Sequence, residues 1–131
     1  MAHPNEERLR AGNEAFQKGD LDALRNEFFA ENIVWHSPGH NQLTGDYKGA
    51  DQVLGLFGRL MELTGGTFHL DVHDVLANDE HGVILATAIA ERGGQSLRNN
   101  GVNIFNLDKD GKVTEAWLHP ADQDEVDKFF G

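Results

Sequence analysis

The sequence contains no cysteine and no long apolar run. Without cysteine, the chain has no disulfide, no thiol nucleophile and no zinc site built on thiolates. A membrane-spanning helix needs about 20 consecutive apolar residues. The polar N-terminus "MAHPNEERLRAG" also lacks the apolar segment of a signal peptide. These absences predict a cytoplasmic protein with no membrane partner.

Basic residues are also scarce. Lysine and arginine total 11 against 22 aspartates and glutamates, which gives a formal net charge of −11. Because a protein that binds phosphates needs a basic stripe, this charge argues against nucleic acid as a partner. No glycine-rich phosphate loop and no serine nucleophile elbow is present. With 39% hydrophobic residues, the chain is predicted to form a single domain over residues 1–131.

Three segments in the first half of the chain have apolar residues at helical spacing. The first covers residues 5–20, and Gly19 marks its end. Asp20 is the predicted cap of a shorter helix over residues 21–29. Residues 50–63 form the clearest helix, because their apolar residues recur every three or four positions as one stripe.

The other ordered segments have the period of two that is typical of strands. One short strand, residues 32–36, precedes the third helix and is followed by a loop or hairpin. After the third helix come four strands, at residues 67–77, 83–92, 96–107 and 112–119, with a bulge near Asp74 in the first of them. A final short helix covers residues 122–130. This order predicts an α+β fold, in which helices cover one face of a curved antiparallel sheet and leave a pocket at its mouth.

Three segments carry a resemblance to a known superfamily: "AFQKGDLDALRNEFFAENIVWHSPG", "LTGDYKGADQVLGLFGRL" and "FNLDKDGKVTEAWLHPAD". They resemble the NTF2-like superfamily, in its SnoaL-like and ketosteroid-isomerase-like branch. The resemblance implies one NTF2-like cone, with a curved antiparallel sheet wrapped around about three N-terminal helices. It also implies a homodimer formed through the outer sheet face. The superfamily includes isomerases, cyclases, dehydratases, hydrolases and binding proteins without activity, so the implied function is broad.

His36 is the first catalytic candidate. Counted from Gly19 without a gap, it takes the place where ketosteroid isomerases keep their general-base aspartate. Asn103 takes the place of the protonated aspartate of their oxyanion hole, and Gly12 takes the place of its tyrosine. An imidazole has an ordinary pKa of about 6.5, so it can act as a base or an acid near neutral pH.

The orientation of the first strand decides what His36 can do. Alternation puts Val34 and His36 on one face and Ile33 and Trp35 on the other, and we expect the histidine to face the pocket. The structural alternative is an imidazole that hydrogen-bonds to the Ser-Pro-Gly turn after it. For Asn103, the alternatives are an amide that donates to a ligand and one that bonds water or a neighbouring strand.

A second pair of candidates lies near the end of the last strand. SnoaL-like polyketide cyclases keep an acid or base aspartate shortly after Glu-x-Trp, and here Glu115 and Trp117 precede Asp122. Asp122 is equally suited to cap the final helix. His119 is a second proton-handling candidate. If Leu118 faces the pocket, however, strand parity turns His119 and Trp117 away unless a bulge intervenes.

The predicted wall of an apolar ligand site combines residues from helices and strands: Val34, Phe16, Phe57, Leu60, Phe105 and Trp117. Another group, His69, Asp71 and His73, alternates on one strand face in a pattern that can bind zinc. The opposite face of that strand must meet the helices, so these side chains are expected to be solvated. We therefore expect neither a metal nor a cofactor.

Two functions fit these residues. In the first, the protein is a cofactor-independent enzyme that acts by proton transfer on a small apolar or polycyclic substrate, as an isomerase, a cyclase, or a hydrolase or dehydratase. His36 is then the base or acid, Asn103 donates to the oxyanion, and Asp122 or His119 handles a second proton. In the second, the fold is a ligand-binding or interaction module without activity.

Overall fold

Helix α1 spans Pro4–Lys18 in the computed structural model, which describes residues 3–131. Its start is a capping box around His3, whose ring accepts a hydrogen bond from the Asn5 amide. Gly19 ends the helix in a left-handed conformation with a φ of 72°, as the sequence predicts.

The second helix is shorter than predicted. Helix α2 covers only Leu21–Ala23, and a π-helical turn over Leu24–Phe28 follows it. The chain becomes extended at Phe29, three residues before the predicted strand. The wider π-helical turn places Phe29 in the core, where it is 6% exposed. The helix ends earlier than its apolar spacing predicts because this arrangement buries Phe29.

Helix α3 spans Ala50–Leu63, which confirms the bounds predicted from its apolar stripe. Its buried face carries Val53, Leu56 and Phe57 and packs against the first strand of the sheet. Helix α4 spans Gln123–Phe130 at the C-terminal end. Among the helices of residues 3–131, none is both long and apolar enough to cross a bilayer.

Six strands form one sheet: β1 Phe29–Ser37, β2 Gly45–Lys48, β3 His69–Ala77, β4 His81–Arg92, β5 Gln95–Leu107 and β6 Val113–Pro120. Their spatial order is β2-β1-β6-β5-β4-β3. The predicted α+β class is confirmed, and β1 and β2 form the hairpin that the sequence left open. The register shift between Val72 and Asp74 confirms the predicted bulge.

One strand pair differs from the expected antiparallel sheet. Strand β1 lies parallel to β6, with Trp35 opposite Ala116, so the sheet is mixed. Parallel neighbours cannot be joined by a tight turn. Here a helix and four strands separate the two partners along the chain, which makes the parallel pairing possible.

The sheet has an inner face toward the helices and an outer face on the opposite side. The inner face of β1 and β6 carries Ile33, Trp35 and Ala116, each at most 8% exposed. The ring of Phe57 from α3 meets Trp35 edge to face, with 5.0 Å between the ring centroids. Phe16 from α1 packs on the same phenylalanine at 5.1 Å, so this contact joins both long helices to the sheet.

Candidate functional site

A cavity of about 230 Å³ lies between the inner face of the sheet and the helices. Its wall is mostly apolar and includes four residues that the sequence singles out for a ligand wall: Phe16, Phe57, Leu60 and Phe105. Helices α1 and α3 supply the first three, and β5 supplies the fourth. Enclosed apolar sites of this kind accept small molecules, and the four contacts stay predictions until a ligand is seen.

The predicted orientation of β1 is wrong. Ile33 is fully buried and Trp35 is 8% exposed, so these two face the helices. Val34 and His36 therefore lie on the outer face and do not line the cavity. Alternation defines two faces of a strand, but it does not say which one is inside. The larger apolar pair is buried because it gains more from leaving water.

Trp117 is also absent from the cavity wall. It pairs across the sheet with Ile104 on one side and His36 on the other, which places all three on the outer face. The neighbouring residues Ala116 and Leu118 face inward, as the parity argument expects. The tryptophan ring lies 5.5 Å from the imidazole of His36, with an interplanar angle of 18°, so the rings are stacked.

His36 forms the centre of a charged cluster on the outer face. Its Nδ1 lies 2.6 Å from the Asp46 carboxylate, and its Nε2 lies 2.6 Å from the Glu115 carboxylate. The hydrogen bond with Glu115, followed by the one with Asp46, raises the pKa of His36 above its ordinary value of 6.5. The cluster ties β2, β1 and β6 together, since each strand supplies one of the three side chains.

Asn103 is the predicted catalytic residue that the structure places at the cavity. It lines the inner wall with Asn99, Gly101 and Phe105, the set that alternation along β5 predicts. Asn99 is occupied: its amide exchanges two hydrogen bonds with the backbone of Asp122. The Asn103 amide makes no side-chain hydrogen bond within residues 3–131.

Asp122 caps helix α4. Its carboxylate accepts from the Glu125 amide at 3.1 Å, and it does not line the cavity. The capping alternative is therefore the one that the structure supports. His119 contributes to the cavity lining, but it pairs with Val102 at the end of β6, and its side chain is exposed. The strand register therefore places His119 at the rim of the cavity, with its side chain toward the outer face of the sheet.

The polar part of the cavity wall contains no carboxylate in the described chain. Its members are Arg8, Asn13, Ser37, Asn41, Asn99, Asn100, Asn103, His119 and Gln123. The guanidinium of Arg8 is already engaged, because it donates to the Gly111 carbonyl at 3.2 Å and lies over the Phe28 ring. The wall is therefore apolar with neutral amide groups.

The alternating His69, Asp71 and His73 do not form a metal centre. Across the part of the chain that the structure describes, no three His, Asp or Glu side chains are grouped so that they could hold a metal ion. His73 instead lies 2.9 Å from the Thr87 hydroxyl, which donates to Asn100. Both contacts link neighbouring strands, β3 to β4 and β4 to β5.

Sequence reasoning missed the residues that connect the loop after β1 to helix α4. Asp127 accepts hydrogen bonds from the Asn41 amide group and from Gln123, and both of these partners line the cavity. An acidic residue on an exposed helix usually has no role beyond solvation, so the pattern gave no signal. The sequence feature that comes nearest to predicting this contact is the pair of glycines in "SPGHNQLTG", because glycine allows a loop to approach a helix closely.

Comparison with known proteins agrees with this architecture. A family model described as a SnoaL-like domain matches residues 9–116. An uncharacterized protein of Mycobacterium tuberculosis is 28% identical over 117 residues, which cover 88% of this chain and 88% of that protein.

Two solved structures share the fold. Bal32a, from a soil-derived mobile gene cassette, is 35% identical, with a TM-score of 0.91 over 97% of this chain and 96% of that chain. An NTF2-like protein of unknown function from Burkholderia pseudomallei is 22% identical, with a TM-score of 0.80 over 96% of each chain. These matches confirm the NTF2-like, SnoaL-like resemblance.

The His36 cluster gives a pH prediction. Because its pKa is raised by folding, the stabilisation from protonated His36 is complete below pH 6.5 and is lost as the pH rises through the folded-state pKa. Glu115→Gln should lower the His36 midpoint more than Asp46→Asn does, as seen in an NMR titration of the imidazole, and should flatten the pH dependence of urea unfolding. Glu80→Gln, a loop substitution, is the control. An unchanged midpoint in Glu115→Gln would contradict the assignment.

Proposed function

Since the chain belongs to the SnoaL-like domain family, we propose that it binds a small, uncharged and largely apolar molecule in the inner cavity. The amide of Asn103 then donates to an acceptor oxygen of that ligand. The aromatic and aliphatic wall, with Phe16, Phe57 and Phe105, supplies most of the contact area.

The free amide of Asn103 is the observation that supports this proposal most directly. The Asn103 amide is partly exposed in the cavity, so water satisfies it in the free protein, and a ligand that displaces this water without accepting a hydrogen bond costs about 1–3 kcal/mol. Asn99, two residues away on the same face, is satisfied by the backbone of Asp122, whereas Asn103 is left to bond whatever enters the cavity. A carbonyl or hydroxyl oxygen suits its NH₂ group.

The charge of the ligand follows from the polar groups of the wall. No aspartate or glutamate of the described residues lines the cavity, and the Arg8 guanidinium already donates to backbone carbonyls. A cationic ligand would leave water without gaining a counter-charge, and an anionic ligand would find only the Arg8 guanidinium, whose Nε and Nη2 already donate to the Gly111 and Glu27 carbonyls. A neutral ring system with one or two oxygens avoids this penalty.

A matched pair of ligands tests the role of Asn103. We expect wild-type protein to bind 2-acetylnaphthalene about tenfold more tightly than 2-ethylnaphthalene, since the two have similar shapes and only the ketone accepts a hydrogen bond. Asn103→Leu, which keeps the side-chain size, should remove this preference by weakening the ketone alone. Isothermal titration calorimetry measures both affinities.

The control for this test is Asn106→Leu, which makes the same change on the same strand outside the cavity. It should keep the preference for the ketone. If the wild-type protein binds the two ligands with equal affinity, the proposed hydrogen bond from Asn103 is refuted. Failure to bind either ligand at millimolar concentration would count against this size and class of ligand.

Proton transfer is the second candidate function, and it needs a different base from the one predicted. His36 lies on the outer face and Asp122 caps α4, so neither is placed to reach a ligand in the cavity. His119 is the one histidine among the cavity-lining residues of the described chain. In this candidate, the His119 ring turns from the rim into the cavity and removes a proton next to a ligand carbonyl, and Asn103 stabilises the enolate oxygen.

Deuterium exchange into a bound ketone tests this candidate without knowledge of the natural substrate. If His119 is a base, the protein should accelerate exchange of the methyl protons of 2-acetylnaphthalene in D₂O. His119→Gln should abolish the acceleration, whereas His81→Gln, at the first residue of β4, should not. Ketone binding without acceleration over the buffer rate would leave only the binding function.

We further propose that the outer face forms a homodimer interface. Val83, Ile104, Trp117 and His36 form a row across four adjacent strands, and the apolar members of the row are half-buried rather than covered. An apolar sheet face of this kind suits self-complementary association about a two-fold axis.

Light scattering tests the dimer. Because each copy carries a charge of −11, we expect association to strengthen with added salt, which screens the repulsion. Ile104→Glu should weaken association at least about tenfold by burying a charge. Gln95→Glu, which adds the same charge at the end of β5, should change it little. A mass of 14.5 kDa for the wild-type protein at high micromolar concentration and in high salt would refute the dimer.

A further inference from the structure

One wall of the cavity is built from two segments outside the sheet. The loop between β1 and β2 and the helix α4 each supply three lining residues: Pro38, Asn41, Leu43, Gln123, Val126 and Phe130. The two segments lie far apart in sequence, and hydrogen bonds join them across this wall.

Helix α4 is anchored at both ends. At its start, the Asn99 amide donates to the Asp122 carbonyl and its oxygen accepts from the Asp122 amide. At its end, Phe129 and Phe130 are 3% and 4% exposed, and Arg92 donates to the Phe129 carbonyl. The helix is therefore the fixed side of this wall.

Two of the hydrogen bonds that hold the loop to that fixed side end on one carboxylate, while Gln42 donates to the Phe130 carbonyl at 2.8 Å and Gln123 donates to the Pro38 carbonyl at 3.5 Å. A single oxygen of Asp127 accepts from the backbone amide of His40 at 3.0 Å, from the amide group of Asn41 at 2.8 Å and from Gln123 at 3.0 Å. The bond from the His40 amide is the main reason why the pKa of the Asp127 carboxyl lies below its ordinary value. The carboxylate is charged and accessible to solvent, so water can replace these bonds.

Gly39 brings the loop unusually close to the helix. Its φ is +94°, and a Cβ atom built there would lie 2.3 Å from the Asp127 carboxylate and 2.1 Å from the Gln123 amide. Only glycine combines this backbone conformation with this approach. Within the loop, the Asn41 side chain also accepts from the Leu43 amide, so the loop has its own turn structure, which Leu43 anchors in the core.

We propose that Asp127 is a positioning residue that latches the loop of residues 38–44 onto helix α4 and thereby controls the rate at which a ligand enters and leaves the cavity. The proposal rests on ligand binding in the cavity, as inferred above. Asp127 does not line the cavity, so it acts through Asn41 and Gln123. Its removal should therefore change the rates of exchange more than the affinity.

The experiment compares Asp127→Ala with Asp124→Ala, a matched substitution on an exposed position of the same helix. NMR measures hydrogen exchange of the His40 amide, and stopped-flow fluorescence measures binding of N-phenyl-1-naphthylamine, a neutral apolar dye. In Asp127→Ala we expect His40 exchange to rise about tenfold. The association and dissociation rate constants of the dye should both rise at least about threefold, while Kd changes less than about twofold.

Gly39→Ala supplies an independent variant, because the added methyl group forces the loop off the helix while Asp127 is intact. It should raise His40 exchange and both dye rate constants in the same way. Asp124→Ala should change neither quantity.

The outcomes separate the latch from the binding function. Unchanged His40 exchange in Asp127→Ala overturns the latch, whatever the dye does. Raised exchange with unchanged dye rates overturns control of access, although the hydrogen bonds are then confirmed. If the wild-type protein binds neither the dye nor the two naphthalenes, the proposed binding function is refuted, and so is the control of ligand access.

Discussion

The edge-to-face contact between Trp35 and Phe57 decides which side of the sheet is the interior. Phe57 lies on the buried stripe of α3, and the same ring also meets Phe16 from α1. Once Trp35 faces this cluster, strand geometry turns His36 to the other side. The inward orientation of Trp35 therefore decides which residues of β1 line the cavity and which lie on the outer face with Trp117 and the charged cluster.

Most of the fold could be predicted because its signals are local. The bounds of α3, the end of α1 at Gly19 and the alternation along β5 depend on residues close in sequence, and the structure agrees with each. The early start of β1 at Phe29 and its parallel pairing with β6 depend on distant parts of the chain. No periodicity within a short segment contains that information.

The candidate site was harder to predict for the same reason. Asn103 was singled out by its match to an enzyme family, and it lies at the cavity because it shares a strand face with the buried Phe105. His36 was placed by its match to an enzyme family in the linear sequence, yet the strand that carries it buries Ile33 and Trp35. Asp46 and Glu115 join His36 only through strand pairing, and Asp127 meets its loop only in three dimensions.

The parallel pairing of β1 and β6 has a consequence for how the chain folds. Strand β1 is made before β6, one of its two neighbours, and a helix and four strands separate the two partners along the chain. Until β6 leaves the ribosome, β1 has only the short β2 beside it and presents an open edge. A non-local contact of this kind slows folding and prolongs exposure of that edge. Closure of the sheet, and with it the interior, must therefore wait until β6 has been made.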